Sequence, residues 1–276
     1  MKRLVLLLVS LALVASACGG DEGTGPFPED AFAFPASSNV AVGPERLLIA
    51  ITDESGARLP SPEAPVDVRL YPEGRPDEAI TAEAGFLWAI PDVSGLYRVN
   101  VTFPEAGIWE AEVLPKEGGR LEPFVFQVLE EPMTVGVGDP APPSESVTAA
   151  DVGALAEITT DPNPEPSFYE LSIAEAVTSG RKSVIVFATP AFCSTGICAP
   201  TMDSMKALAP SYPDVNFLHV EVWTNLQDPQ NLQTVQAVID WRLPTEPWVF
   251  VVDENGVVSG RFEGTATPEE LAELLT

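Results

Sequence analysis

Residues 184–209 read VIVFATPAFCSTGICAPTMDSMKALA. The opening run, Val184 to Ala188, is uninterrupted apolar sequence, as expected of a strand buried on both faces. From Pro200 onward, Met202, Met205 and Leu208 fall on one side of a helix. Between these lie Cys193 and Cys198, two of the three cysteines in the chain. In a regular α-helix, residues five apart sit about 8 Å apart at Cα and point in different directions, whereas a disulfide requires about 7 Å or less. If the two are bonded, Cys193 belongs to a loop in which Gly196 supplies an unusual φ, and Cys198 lies near the helix start.

The sequence downstream keeps an alternating rhythm. DVNFLHVEV (214–222) reads as a buried strand, and PQNLQTVQAVIDW (229–241) has helical spacing at Leu232, Val235, Val238 and Ile239. PWVFVVDENGVVSGRF (247–262) reads as a β-hairpin turning at Asn255-Gly256. PEELAELL (268–275) reads as a closing helix, with proline at its start and acids in its first turn. Upstream, SIAEAVTSG (172–180) reads as a short helix ended by Gly180.

In this order of elements, the quoted stretch is similar to the strand, active-site loop and first helix of extracytoplasmic thioredoxin-like oxidoreductases. Pro200 matches that family's helix-kinking proline, and Pro247, in LPTEPWVFVVDENG, matches its cis-proline. The resemblance covers 168–276. It implies an α/β thioredoxin-like fold and thiol-disulfide exchange with protein thiols or disulfides, in which Cys193 attacks, Cys198 resolves and Pro247 lies beside the sulfurs. No cofactor is expected. The sequence departs from the family in having four residues between its cysteines instead of two, and Phe192 where tryptophan commonly stands. No Lys, Arg or His lies between Ala188 and Met205. Activation of a thiolate therefore falls to the helix terminus.

Two other readings of the pair stay open. It can be an inert structural disulfide. It can also hold Cu(I), as in copper-delivery proteins of the Sco type, with His219, the one histidine in the chain, as the distal ligand. His219 sits inside the strand pattern FLHVEV, where a packed histidine is the plainer expectation. Met202 and Met205 are expected in the helix core. The sequence contains no phosphate-binding glycine loop or dinucleotide fingerprint.

Residues 31–131 change rhythm to period two. In PVDVRLY, Val66, Val68 and Leu70 share one face; LYRVNVTF, IWEAEV and PFVFQVL alternate in the same way. Turn signals separate these runs, so about seven short strands forming an antiparallel, immunoglobulin-like sandwich are expected. Residues 132–167 are rich in proline and acid and read as a linker and lead-in to the second domain.

The N-terminus, MKRLVLLLVSLALVASACGG, has two basic residues, an apolar run too short to span comfortably, and small residues before Cys18. This resembles a bacterial lipoprotein signal over 1–17, with Cys18 lipidated and 18–30 as a flexible tether. The expected location is the extracytoplasmic face of the cell membrane, held by a lipid anchor, where a disulfide persists. Without Lys2 and Arg3 the chain keeps 12 basic groups against 41 acidic ones. Such a surface repels phosphate backbones, so nucleic acid is excluded as a partner class.

Overall fold

The computed structural model of the chain describes residues 25–276. The lipoprotein signal, Cys18 and most of the tether lie outside the described residues. Among the described residues no helix is long and apolar enough to cross a membrane.

The first eight strands are β1 (Phe32–Pro35), β2 (Gly43–Thr52), β3 (Val66–Pro72), β4 (Ile80–Glu83), β5 (Gly85–Ile90), β6 (Ser94–Phe103), β7 (Gly107–Pro115) and β8 (Phe124–Val128). They form two four-stranded antiparallel sheets, ordered β1-β2-β6-β5 and β4-β3-β7-β8. Val66, Val68 and Leu70 of β3 meet Leu47, Ile49, Tyr97, Val99 and Trp109 in one shared core. The period-two reading of β3, β6 and β7 thus placed the correct residues inside. The other face of the first sheet is also partly covered: Leu48, Ala50, Leu87, Ala89 and Leu96 form a second apolar cluster there.

The remaining elements are α1 (Ile173–Val177), β9 (Ser183–Ala188), α2 (Cys198–Leu208), β10 (Asn216–Glu221), β11 (Trp223–Thr224), β12 (Gln233–Thr234), α3 (Gln236–Asp240), β13 (Trp248–Val252), β14 (Val258–Glu263) and α4 (Pro268–Leu275). Their main sheet runs β10-β9-β13-β14. Strands β9 and β10 are parallel, and β13 is antiparallel to both β9 and β14. Every residue of β9, β10 and β13 is buried. Apolar clusters lie on both faces of the sheet: one around Trp241, Trp248 and Phe250, the other around Met202, Met205 and Val249.

The expected pairing of an immunoglobulin-like sandwich with an α/β thioredoxin-like fold is corrected by this architecture. The described chain is mostly β, with three four-stranded sheets and a two-stranded ribbon, and of its helices only α2, with 11 residues, exceeds eight. The residues read as helix give less helix than their spacing promised. In 229–241, Gln233 and Thr234 pair with Trp223 and Thr224 as the ribbon β11–β12, leaving α3 five residues. Helix α1 ends after five residues, and Gly180 turns the chain at φ +73°.

The segment 132–167, read as linker and lead-in, packs against the last elements over part of its length. The Gly138 N–H donates to the Val258 carbonyl, Pro140 bridges Val257, and Thr134, Val135, Ala141, Thr159 and Asp161 are buried. Charged side chains also join the first sheet to the last elements. Arg46 donates to Glu270 at 2.6 Å and to the Thr265 carbonyl at 2.9 Å, and Arg98 lies 2.8 Å from Glu270. Arg261 pairs with Glu45. Burial pushes the Glu270 carboxyl up, but the Arg46 charge and hydrogen bonds outweigh it and hold the group below its ordinary value. At Glu45 burial wins, and the carboxyl titrates above its ordinary value despite Arg261.

Candidate functional site: the Cys193–Cys198 loop

Strand β9 ends at Ala188, and the chain turns through Thr189–Ile197 into α2. Cys193 and Cys198 are joined by a disulfide, with Cα atoms 6.0 Å apart. Gly196 has φ +75°, which a side chain rarely adopts, and its N–H donates to the Cys193 carbonyl at 3.3 Å. Ile197 caps α2, and Cys198 is its first residue. The loop and helix start therefore have the arrangement that a bonded pair at this spacing requires.

The two sulfurs differ in environment. Cys198 is fully buried and packs with Met202 and Met205, whereas Cys193 is half-buried. The backbone N–H of Cys198, an unpaired donor at the helix N-terminus, points at Cys193 Sγ at 3.3 Å. The Thr195 hydroxyl lies 3.3 Å from the same sulfur. A thiolate on Cys193 would meet two hydrogen-bond donors and the positive end of α2. The role of Thr195 was not read from the sequence. A hydroxyl two residues after a cysteine has no distinct signal until the loop folds back.

The Glu246–Pro247 bond is cis, and Pro247 is buried. Its carbonyl accepts from Gly264 N–H at 2.9 Å. Gly264 in turn abuts Ile197, whose Cδ1 would lie 3.5 Å from an added Cβ. Pro247 is thus one residue removed from the start of α2. Burial pushes the neighbouring Glu246 carboxyl up.

His219 is not brought to the sulfurs as a ligand. Its Nε2 lies 3.1 Å from the Ala188 carbonyl, and its Nδ1 lies 2.7 Å from the Tyr169 hydroxyl. Both ring nitrogens are occupied, and burial lowers its pKa to about 4. Among the described residues no three His, Cys, Asp or Glu side chains converge as a metal site needs. Met202 and Met205 are wholly buried core residues.

A second support of the loop was absent from the sequence reading. Glu221, the last residue of β10, accepts from both the Thr160 N–H and the Thr160 hydroxyl, at 2.8 and 2.7 Å. The Thr160 hydroxyl oxygen then accepts from Ala191 N–H at 3.1 Å, two residues before Cys193. Burial pushes the Glu221 carboxyl up, against the opposing pull of hydrogen bonds from the Thr189 and Thr160 side chains. Nothing in residues 157–163 marks them as loop supports, because their proximity to 191 exists only in the fold.

No family model matches the chain. No curated protein matches it either. Among solved structures it is similar to the crystal structure of the Lin-41 filamin domain, at 13% identity and a TM-score of 0.26, over 39% of this chain and 100% of that one. A likeness of that size places neither fold nor function on the chain.

Proposed function

We propose that Cys193–Cys198 is a thiol-disulfide exchange centre acting on protein thiols. The observation that carries the reading is the asymmetry of the pair: Cys193 is accessible and faces the Cys198 N–H, whereas Cys198 is sealed in the core. A partner thiolate attacks Cys193 Sγ, the Cys193–Cys198 bond breaks, and Cys198 leaves with the electron pair and takes up a proton. A second partner thiolate then attacks the mixed disulfide at the partner's sulfur. The partner is oxidised to a disulfide, Cys193 leaves as thiolate, and this chain ends as the dithiol. The reverse sequence reduces a partner disulfide, and the direction follows the relative potentials of the two couples.

The proposal rests on the loop and the helix start and does not depend on a fold family. The Cu(I) reading gains no support from His219, whose ring nitrogens are both engaged. The test is trapping. Cys198→Ser should accumulate a mixed disulfide through Cys193, and Cys193→Ser should not. If neither variant traps a protein, and thiol counting finds the pair still oxidised in thioredoxin-type dithiol buffers, the disulfide is structural.

The membrane location is proposed on the sequence alone, through lipidation of Cys18. The full chain should partition into a detergent phase, and Cys18→Ala should move it to the aqueous phase. Aqueous partitioning of the unaltered protein would end this reading.

A further inference from the structure

The disulfide loop lies against the first sheet. Ile197 packs into the cluster of Leu48, Leu87 and Leu96, and Gly196 abuts Ile90 at the end of β5, with Ile90 Cδ1 3.7 Å from where a Cβ would stand. Beside this contact runs a cleft of about 580 Å³. One wall is β5 and its turn, with Phe86, Trp88 and Pro91. The other is Ser204 of α2 with the segment Thr265–Glu269. Pro91 of the β5 wall follows Ile90, the residue that Gly196 abuts, so the cleft begins one residue from a contact of the disulfide loop.

Two features define what would fill it. The first is Trp88, which is 37% exposed although it carries a large apolar ring, and which stands edge-on to Phe86 at 4.9 Å. An exposed indole is the preferred face for a guanidinium or ammonium group. The second is charge. Glu269 lines the cleft, and Glu63 and Asp92 are chain neighbours of its wall residues Pro62 and Pro91. All three are exposed, and among the described residues none forms an ion pair. Among the described residues the cation lining the cleft is Arg98, which is already held by Glu270 at 2.8 Å. Strand β5 is also the last in its sheet, so its outer edge offers unpaired backbone groups to an extended chain.

We propose that this cleft docks an extended, arginine- or lysine-bearing polypeptide segment of the protein whose thiol or disulfide reacts at Cys193. The inference deepens the exchange reading and rests on it for the partner's chemistry. The first sheet then selects the partner, while the loop performs the reaction.

The test uses a labelled synthetic peptide with arginine flanks and serine in place of its cysteine, titrated into the full chain by fluorescence anisotropy. Trp88→Ala, and the triple variant Glu63→Gln, Asp92→Asn, Glu269→Gln, should each weaken binding about five- to tenfold at low salt. Trp88→Leu, which keeps apolar bulk but removes the indole, should weaken it similarly and guards against a folding defect. Glu117→Gln with Glu122→Gln, in the β7–β8 connection of the other sheet, should leave binding unchanged. Equal loss from both acidic sets, or binding indifferent to Trp88, would overturn the proposal by showing attraction to the overall negative charge. Exchange itself is read separately with 2-mercaptoethanol, which is neutral and too small to need the cleft. Trp88→Ala should not alter that rate. An inert disulfide with cleft-dependent peptide binding refutes the exchange reading, and a reactive disulfide with cleft-independent binding refutes the docking surface.

Discussion

His219 offers a measurement that reports on one group, because the chain has a single histidine. The ring is 5% exposed, with Nε2 donating to the Ala188 carbonyl and Nδ1 against the Tyr169 hydroxyl. Burial favours the neutral ring and is the largest influence. The Ala188 bond and the charge of Asp161 oppose it, and Lys206 adds to it, for a pKa of about 4 against an ordinary 6.5. The folded value lies below the unfolded one, so between them the unfolded chain binds more protons. Stability from this group is complete above 6.5 and is lost as pH falls toward 4. At about 1.4 kcal/mol per unit, the loss on going from neutral pH to about pH 4.5 is about 2–3 kcal/mol. Urea unfolding at several pH values, for the wild type and for His219→Gln, isolates this contribution from the carboxylates that titrate alongside it. The variant should be less stable at neutral pH, yet its loss on acidification should be smaller by about 2–3 kcal/mol. Parallel pH curves for the two proteins would refute the reasoning, because they would mean that His219 titrates alike in both states.

Arg46→Ala should cost about 3–5 kcal/mol in urea unfolding, because among the described residues it leaves the nearly buried Glu270 with Arg98 alone as its cation; a loss below about 1 kcal/mol would mean that solvent screens the pair. Reducing the disulfide should lower stability by only about 2 kcal/mol, since it closes a short loop, and unfolding midpoints with and without a dithiol reductant measure this. Glu221→Ala should speed hydrogen exchange at the Ala191 amide and destabilise by about 1–3 kcal/mol, whereas Glu221→Gln, which keeps an acceptor for Thr160, should lose less; equal effects would remove the Thr160 link to the loop. Replacing Gly196 by valine should strain the loop at φ +75° and slow formation of the disulfide on reoxidation, followed by thiol counting.

The sequence by itself determined the local periodicities and the constraint at the cysteines. Alternation in β3, β6 and β7 identifies their buried faces because successive side chains of a strand point to opposite sides. The spacing of Cys193 and Cys198 excludes a bonded pair within one regular helix, and so places a loop, Gly196 and a helix start where they are found. Helix content was overread where pairing with a neighbouring extended segment decides. Gln233 and Thr234 become ribbon by pairing with Trp223 and Thr224, a contact that helical spacing cannot register. Only the tertiary structure decided how the loop is held and what borders it. Thr160 and Glu221 reach Ala191 from distant segments, and Ile90 and Ile197 join the first sheet to the helix carrying Cys198. These contacts depend on packing between segments up to about a hundred residues apart, where neither propensity nor periodicity carries information, and the burial that sets the titration of His219 and Glu221 arises from the same packing.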